Sequence, residues 1–252
     1  MKDQRTLAYI NMYAVLGSLV QLCELVPEAQ KILGNAKVSV GFVVKNGPEA
    51  TLAFENGKCA LKDGAADCDI RLPFGSPEKF NGLIDGTVTP IPSKGFTKIG
   101  FLLKKFTKLT DLLTKYLKAS PEDLQDDAFF NASTTIMFHV IVAAIAQIGN
   151  EDKVGRASAS YIVDGNIRMG IGNGGPTAYL ASKDHRLTAV HEAPQEYLSY
   201  MEFGDMRLAR DLFDGKVNSV ACIGQGTVRM GGMISQIDNM NRILDRVSMY
   251  LA

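Results

Sequence analysis

The sequence predicts an α+β fold of two similar units, each a mainly antiparallel sheet covered by helices. Three observations lead there. A phrase is written twice, as LIDGTV at 83–88 and LFDGKV at 212–217, each after a Phe-Gly pair, Phe74-Gly75 and Phe203-Gly204. The match extends in constant order: PEATLA (48–53) with PTAYLA (176–181), Gly95 and Gly100 with Gly226 and Gly231, and LTDLLTKYL (109–117) with ILDRVSMYL (243–251). Small shifts at turns, with order preserved, are the mark of two diverged copies. Within each copy, strand-like runs follow one another and helices gather at the ends, which indicates α+β rather than a doubly wound sheet. The boundary falls near KASPED (118–123), giving units 1–119 and 120–252.

Each copy opens with a helical region, 6–33 and 121–149. The second starts at SPED, where Ser120 can cap, Pro121 suits the first helical position and two acids meet the positive end of the dipole. Strands follow. VSVGFVV (38–44) turns at KNGPE into ATLAF (50–54) and then GKCALKDG; the second copy offers ASASYIV, GNIRMGI, TAYLA and RLTAVHE. Next comes a short helix, 76–85 or 205–214, stopped by Gly86 or Gly215. Glycine takes the left-handed cap without a Cβ penalty, and Asp85 or Asp214 can bond nearby amides. One or two further strands lead into a long terminal helix.

The bulk numbers narrow the function. Lys+Arg and Asp+Glu are both 27 in 252 residues, so no basic excess exists to neutralise phosphates, and nucleic acid is not an expected partner. Cys23, Cys59, Cys68 and Cys222 form no CxxC pair, and the start of the chain lacks a secretory pattern. Reduced thiols and a cytoplasmic location are expected. The run IMFHVIVAAIAQI (136–148) is too short to span a bilayer and reads as a buried core helix.

At FGDMRLARDLFDGKVNSVACIGQGTVRMGGM (203–233) the chain resembles the sterol carrier protein 2 family, with a short helix ending in Gly, a GKV-type strand and a G-x-V-x-M-x-G strand leading into the last helix. GSPEKFNGLIDGTVTPIPSKGFTKIGFL (75–102) is a sparser version. The resemblance covers most of 157–251 and less of 38–117. It implies an apolar tunnel between sheet and helices that binds fatty acids, fatty acyl groups or sterols. The pocket-lining role would fall on the terminal helices and the strands before them.

Those helices are amphipathic. Ile237, Met240, Ile243, Leu244, Val247 and Leu251 share one face, with Met230 and Met233 just before it. Leu102, Phe106, Leu109 and Leu113 form the corresponding stripe in the first copy. Lys104, Lys105 and Lys108 flank that stripe, the pattern of a basic helix facing an anionic membrane or of a solvated lysine-rich face. Core packing alone produces the same periodicity, so the pocket rests on the resemblance.

Other constellations carry less. GIGNGG (170–175) has GxGxxG spacing but leads into Pro176 and a strand rather than a helix. His185 and His191, with Glu192, could share a strand face, but the spacing is not a zinc pattern. His139 reads as a hydrogen-bonded core residue. No catalytic residue, metal or cofactor is assigned. The expected function is non-enzymatic binding and carriage of an apolar lipid, with transient membrane contact. The alternatives are a protein-interaction scaffold with filled cores, or an accessory or enzyme presenting a lipid-like substrate through the His185/His191 strand.

Overall fold

The computed structural model describes residues 2–251; residues 1 and 252, the outer ends of the two expected units, lie outside the described residues. Packing divides the chain into two compact units, Met1–Ala132 and Ser133–Ala252.

The first unit opens with α1 (Gln4–Leu25). Asp3 caps it, its carboxylate accepting from the Thr6 N–H at 2.9 Å. A π-turn at Asn11–Val15 and a 3-10 turn at Leu16–Ser18 interrupt its regular winding. α2 (Pro27–Leu33) begins on the proline. The strands β1 (Lys37–Val44), β2 (Glu49–Glu55), β3 (Lys58–Asp63) and β4 (Ile70–Phe74) form a sheet of order β3-β2-β1-β4. All neighbours are antiparallel except β1 and β4. α3 (Pro77–Ile84) follows, capped by Ser76 and closed at Gly86, whose φ is 72°. A helical run over 96–117, α4, ends the unit, with a π-turn at Leu102–Phe106 before its regular part, Thr107–Leu117.

α5 (Asp127–Glu151) carries the chain into the second unit. Its first turn belongs to the first: Phe129 stacks on Tyr116 of α4 with ring centroids 4.2 Å apart. The division by packing therefore falls within α5, at 132/133, rather than near 119/120. The Ser120 hydroxyl accepts from the Asp123 N–H at 3.1 Å, at the start of a 3-10 turn over Asp123–Gln125, and α5 starts later, where Asp126 accepts from the Phe129 N–H at 2.7 Å. α6 (Lys153–Ala159) precedes β5 (Gly165–Ile171), β6 (Thr177–Lys183), β7 (Arg186–Val190) and β8 (Ser199–Phe203). α7 (Met206–Phe213), α8 (Ser219–Gly224), β9 (Val228–Gly232) and α9 (Ile234–Leu251) complete the unit. α7 stops at Gly215 with φ 69°. Sheet order is β7-β6-β5-β8-β9, with only β5 and β8 parallel. The first four strands of each sheet thus repeat one order and one set of directions.

ASASYIV departs from its expected strand. Asp152 accepts from the Val154 and Gly155 N–H groups at 2.9 and 2.8 Å and starts α6, so Ala157–Ala159 are helical and only a turn follows. A strong N-cap overrides a weak alternation of Ala and Ser. The apolar run 136–148 lies within a helix of 25 residues, longer than the run itself indicates. α1 and α5 are each long and apolar enough to cross a membrane by length and composition, and two-thirds of each apolar window is buried.

Each sheet turns one face to its helices. In the first unit Val40, Phe42 and Val44 of β1 and Ile70, Leu72 and Phe74 of β4 are buried. Phenylalanine fills the layer between: Phe42, Phe54, Phe74, Phe80, Phe101 and Phe106 form a linked chain with centroids 5.2–6.2 Å apart. All four cysteines are buried and unbridged. A hydrogen bond with Cys23, followed by burial, pushes the Cys59 thiol well above the ordinary thiol range.

Candidate functional site

The second unit builds its interlayer from different residues. Ile167, Met169 and Ile171 of β5 and Ser199, Met201 and Phe203 of β8 are buried on one face, as strand alternation requires. The parallel register sets Met169 beside Met201, and the antiparallel register sets Met201 beside Met230 of β9. Three methionines therefore stand in a row across the sheet. Met169 and Met201 are buried, while Met230, on the outermost strand, is half-buried. The row leads from the core to an edge. In the first unit the positions equivalent to Met169 and Met201 by register are Phe42 and Leu72.

α9 packs over β8 and β9, burying Met240, Ile243, Val247 and Tyr250. Polar contacts hold it at both ends. Near its start, the Ser199 hydroxyl donates to Gln236 Oε1 at 2.7 Å, and Gln236 Nε2 donates to the Val163 carbonyl at 3.1 Å. Near its end, Asp152 accepts from Arg246 Nη2 at 2.8 Å and from the Tyr250 hydroxyl at 2.7 Å. Arg246 Nε, 2.7 Å from Asp152 Oδ1, adds an ion pair without an aligned hydrogen bond. Burial alone would raise the Asp152 carboxyl, but Arg246, the Gly155 N–H and Tyr250 outweigh it and hold it below the ordinary range. Between these anchors Asn241 Nδ2 lies 3.5 Å from Met230 Sδ.

No known family profile matches the sequence, and no curated protein matches it. Among solved structures, part of the chain is similar to a UbiJ-SCP2 ubiquinone synthesis protein, at 14% identity over 42% of this chain and 94% of that one, with a TM-score of 0.33. It is similar to sterol carrier protein domain 2 of Helicoverpa armigera at 11% identity, over 45% of this chain and 89% of that one, with a TM-score of 0.36. A crystal structure of sterol carrier protein 2 gives 15% identity, 44% and 92% coverage and a TM-score of 0.34. Likenesses at this level leave the functional reading to the chain's own residues.

Of the expected pocket residues, Met240, Ile243 and Val247 are buried, and Met230, Ile237 and Leu244 are half-buried. Met233 and Leu251 are exposed and stand outside the interlayer. In the first unit Phe106, Leu109 and Leu113 are buried and Leu102 is half-buried. Lys104 and Lys108 are exposed. Lys105 differs from its flanking role: its Nζ donates to the Leu33 carbonyl at 2.6 Å and caps the end of α2. Met169 and Met201 were not among the expected residues. The alternation of GNIRMGI marks the face of Met169, but its neighbours come only with the sheet register.

The histidines are rearranged too. His185 lies in the turn between β6 and β7, with Asp184 and His185 both at positive φ, 50° and 61°. His191 lies beyond the other end of β7, so the two do not meet. His191 instead meets His139 of α5, with Nδ1 atoms 2.8 Å apart and rings nearly perpendicular at 85°. Burial, then the neighbouring His191, lowers His139 to about 3; burial also lowers His191. Among the described residues no group of three or more His, Cys, Asp or Glu is placed to hold a metal. GIGNGG forms the β5–β6 turn, with Asn173 and Gly174 at φ 56° and 82°. A separate open cleft of about 400 Å³ lies between Asp205, Arg207 and Asp211 on one side and Thr227 and Arg229 on the other; it includes none of the expected pocket residues.

Proposed function

We propose that this protein binds and carries an apolar lipid, a fatty acid, fatty acyl group or sterol-like molecule, in the helix–sheet interlayer of its second unit. The methionine row Met169–Met201–Met230, whose outer two strands α9 packs on, is the observation that carries the reading. Methionine is unbranched and polarizable, so it can shift rotamers to admit a chain and close again without one. Each CH₂ taken from water contributes about 0.8 kcal/mol, enough for a long acyl tail to bind by burial alone. The chemistry is burial and release, with no bond made or broken. The half-buried end at Met230, on the edge strand, supports entry between β9 and α9.

The two units descend from one duplicated unit, a reading supported by their shared strand order and by the repeated phrases. The first has become the filled copy, its phenyl rings occupying the layer that the methionines line in the second. The reduced, buried thiols support a cytoplasmic setting.

Native mass spectrometry with organic extraction, and displacement of a fluorescent fatty acid, test the reading. The protein is expected to retain lipid and to bind the probe saturably. Met169→Phe with Met201→Leu, which gives the second unit the residues of the first at these two positions, is expected to weaken probe binding more than about tenfold while the fold persists, since swaps of similar volume are tolerated. No bound lipid and no saturable displacement would overturn carriage and leave the scaffold with filled cores.

A further inference from the structure

The apolar stripe expected to lie along a membrane is spent inside the first unit. A π-turn places residues five apart on one face, so Phe101 and Phe106 both point inward. Leu109, Leu112 and Leu113 continue that buried face. The same turn throws Leu103 and Lys104 outward. Leu103 is 71% exposed, Phe96 at the start of α4 is 62% exposed, and Ile91 in the loop before it is 77% exposed. Large apolar side chains so far out of the core mark a contact surface when they gather on one segment.

The exposed charges of this helix are mainly basic. Lys104 and Lys108 are exposed and have no ion-pair partner among the described residues. Other lysines of the segment are committed elsewhere: Lys94 to the Cys68 carbonyl at 2.7 Å, Lys98 to Asp69 at 2.6 Å, Lys105 to Leu33 and Lys115 to Asp123 at 3.2 Å. One acid, Asp111, lies on the exposed side of α4. Apolar side chains flanked by unpaired lysines complement an anionic bilayer, whose headgroups attract the cations and whose acyl boundary takes the apolar tips. A water-soluble acidic partner would satisfy the lysines and leave Ile91, Phe96 and Leu103 wet.

The geometry points to a membrane-docking surface on the first unit, in which Ile91, Phe96 and Leu103 enter an anionic bilayer and Lys104 and Lys108 contact its headgroups. The buried face of α4 stays in the core, so docking needs no unfolding. The first unit then addresses the membrane while the second holds cargo.

Co-sedimentation of the full chain with vesicles tests this. Binding is expected to phosphatidylcholine vesicles carrying about 30% phosphatidylserine, to be lost on pure phosphatidylcholine, and to weaken as salt approaches about 0.5 M. Lys104→Glu with Lys108→Glu is expected to reduce binding at least about tenfold, because each basic group near such a surface contributes about fivefold or more. Phe96→Ser with Leu103→Ser is expected to reduce binding as well and to make the remainder more salt-sensitive. Circular dichroism is expected to be unchanged in both, since the substituted side chains are exposed. Equal binding by either double variant and the parent overturns the proposal, as does failure to bind anionic vesicles. A dimer in sedimentation velocity that Phe96→Ser with Leu103→Ser dissolves, without vesicle binding, assigns the patch to a second copy instead and also overturns it. Displacement of the fluorescent fatty acid by the lysine variant is expected to match the parent, so failed docking and failed carriage are read separately.

Discussion

Lowering the pH from 7.5 to 5.5 is expected to destabilise the second unit through His139, about 2 pH units being enough to cross the unfolded-state midpoint. The side chain is 7% exposed and its ring meets His191 Nδ1 to Nδ1. Such a contact holds one proton between the two nitrogens, so it is lost when both are protonated. His139 is lowered to about 3 in the folded chain, against an ordinary value of 6.5. Its folded value is therefore below its unfolded value. The unfolded chain takes up the proton first as pH falls, and stability that is complete above about 6.5 drains away toward about 3. One pH unit below 6.5 the loss is about 1.4 kcal/mol for this one group. His191, though exposed, is lowered too and moves the effect in the same direction. The chain has no tryptophan, so Tyr197→Trp, at an exposed position in the second unit, supplies a local fluorescence reporter. Urea titrations at pH 7.5, 6.5 and 5.5 then compare this parent with the same chain carrying His139→Gln. The variant is expected to start less stable by about 1 kcal/mol for the lost hydrogen bond. It is also expected to lose about 1.4 kcal/mol less than the parent on acidification. An unchanged pH slope in His139→Gln, or an NMR midpoint for His139 near 6.5 in the folded protein, would refute the reasoning.

Two further outcomes follow from polar groups in the same unit. Asp152→Ala removes the cap of α6 and the carboxylate that Arg246 and Tyr250 bond, so a loss of about 3 kcal/mol or more is expected in chemical denaturation; a loss below about 1 kcal/mol would show that the network does not hold α9. Asn150 covers the outermost strand β7, accepting from the Leu187 N–H at 2.9 Å and donating to its carbonyl at 2.7 Å. Asn150→Ala is expected to cost about 2 kcal/mol and to increase light scattering on heating, because an open edge pairs with other chains.

How much of this was legible differs element by element. Alternation in VSVGFVV and GNIRMGI located β1 and β5, because the twofold period of a strand is written in adjacent residues. Gly86 and Gly215 were legible as helix stops because a left-handed φ has a strong local preference for glycine. The terminal stripe placed Met240, Ile243 and Val247 inside, as helical periodicity demands. The five-residue strands β4 and β8 were not legible. Each is short, and its partner lies some thirty residues earlier along a parallel pairing that no local pattern announces.

The candidate site depended on those hidden strands. Sequence alone determined the faces: which side chains of a strand or helix point the same way, and where helices stop. Each of these is a matter of backbone geometry within a few residues. Tertiary structure alone decided which faces meet. It brought Met201 between Met169 and Met230, set His191 against His139 across 52 residues, turned Lys105 inward to α2 and left Lys104 and Lys108 outside. Such contacts depend on register between distant segments, where a shift of one residue reverses every side chain.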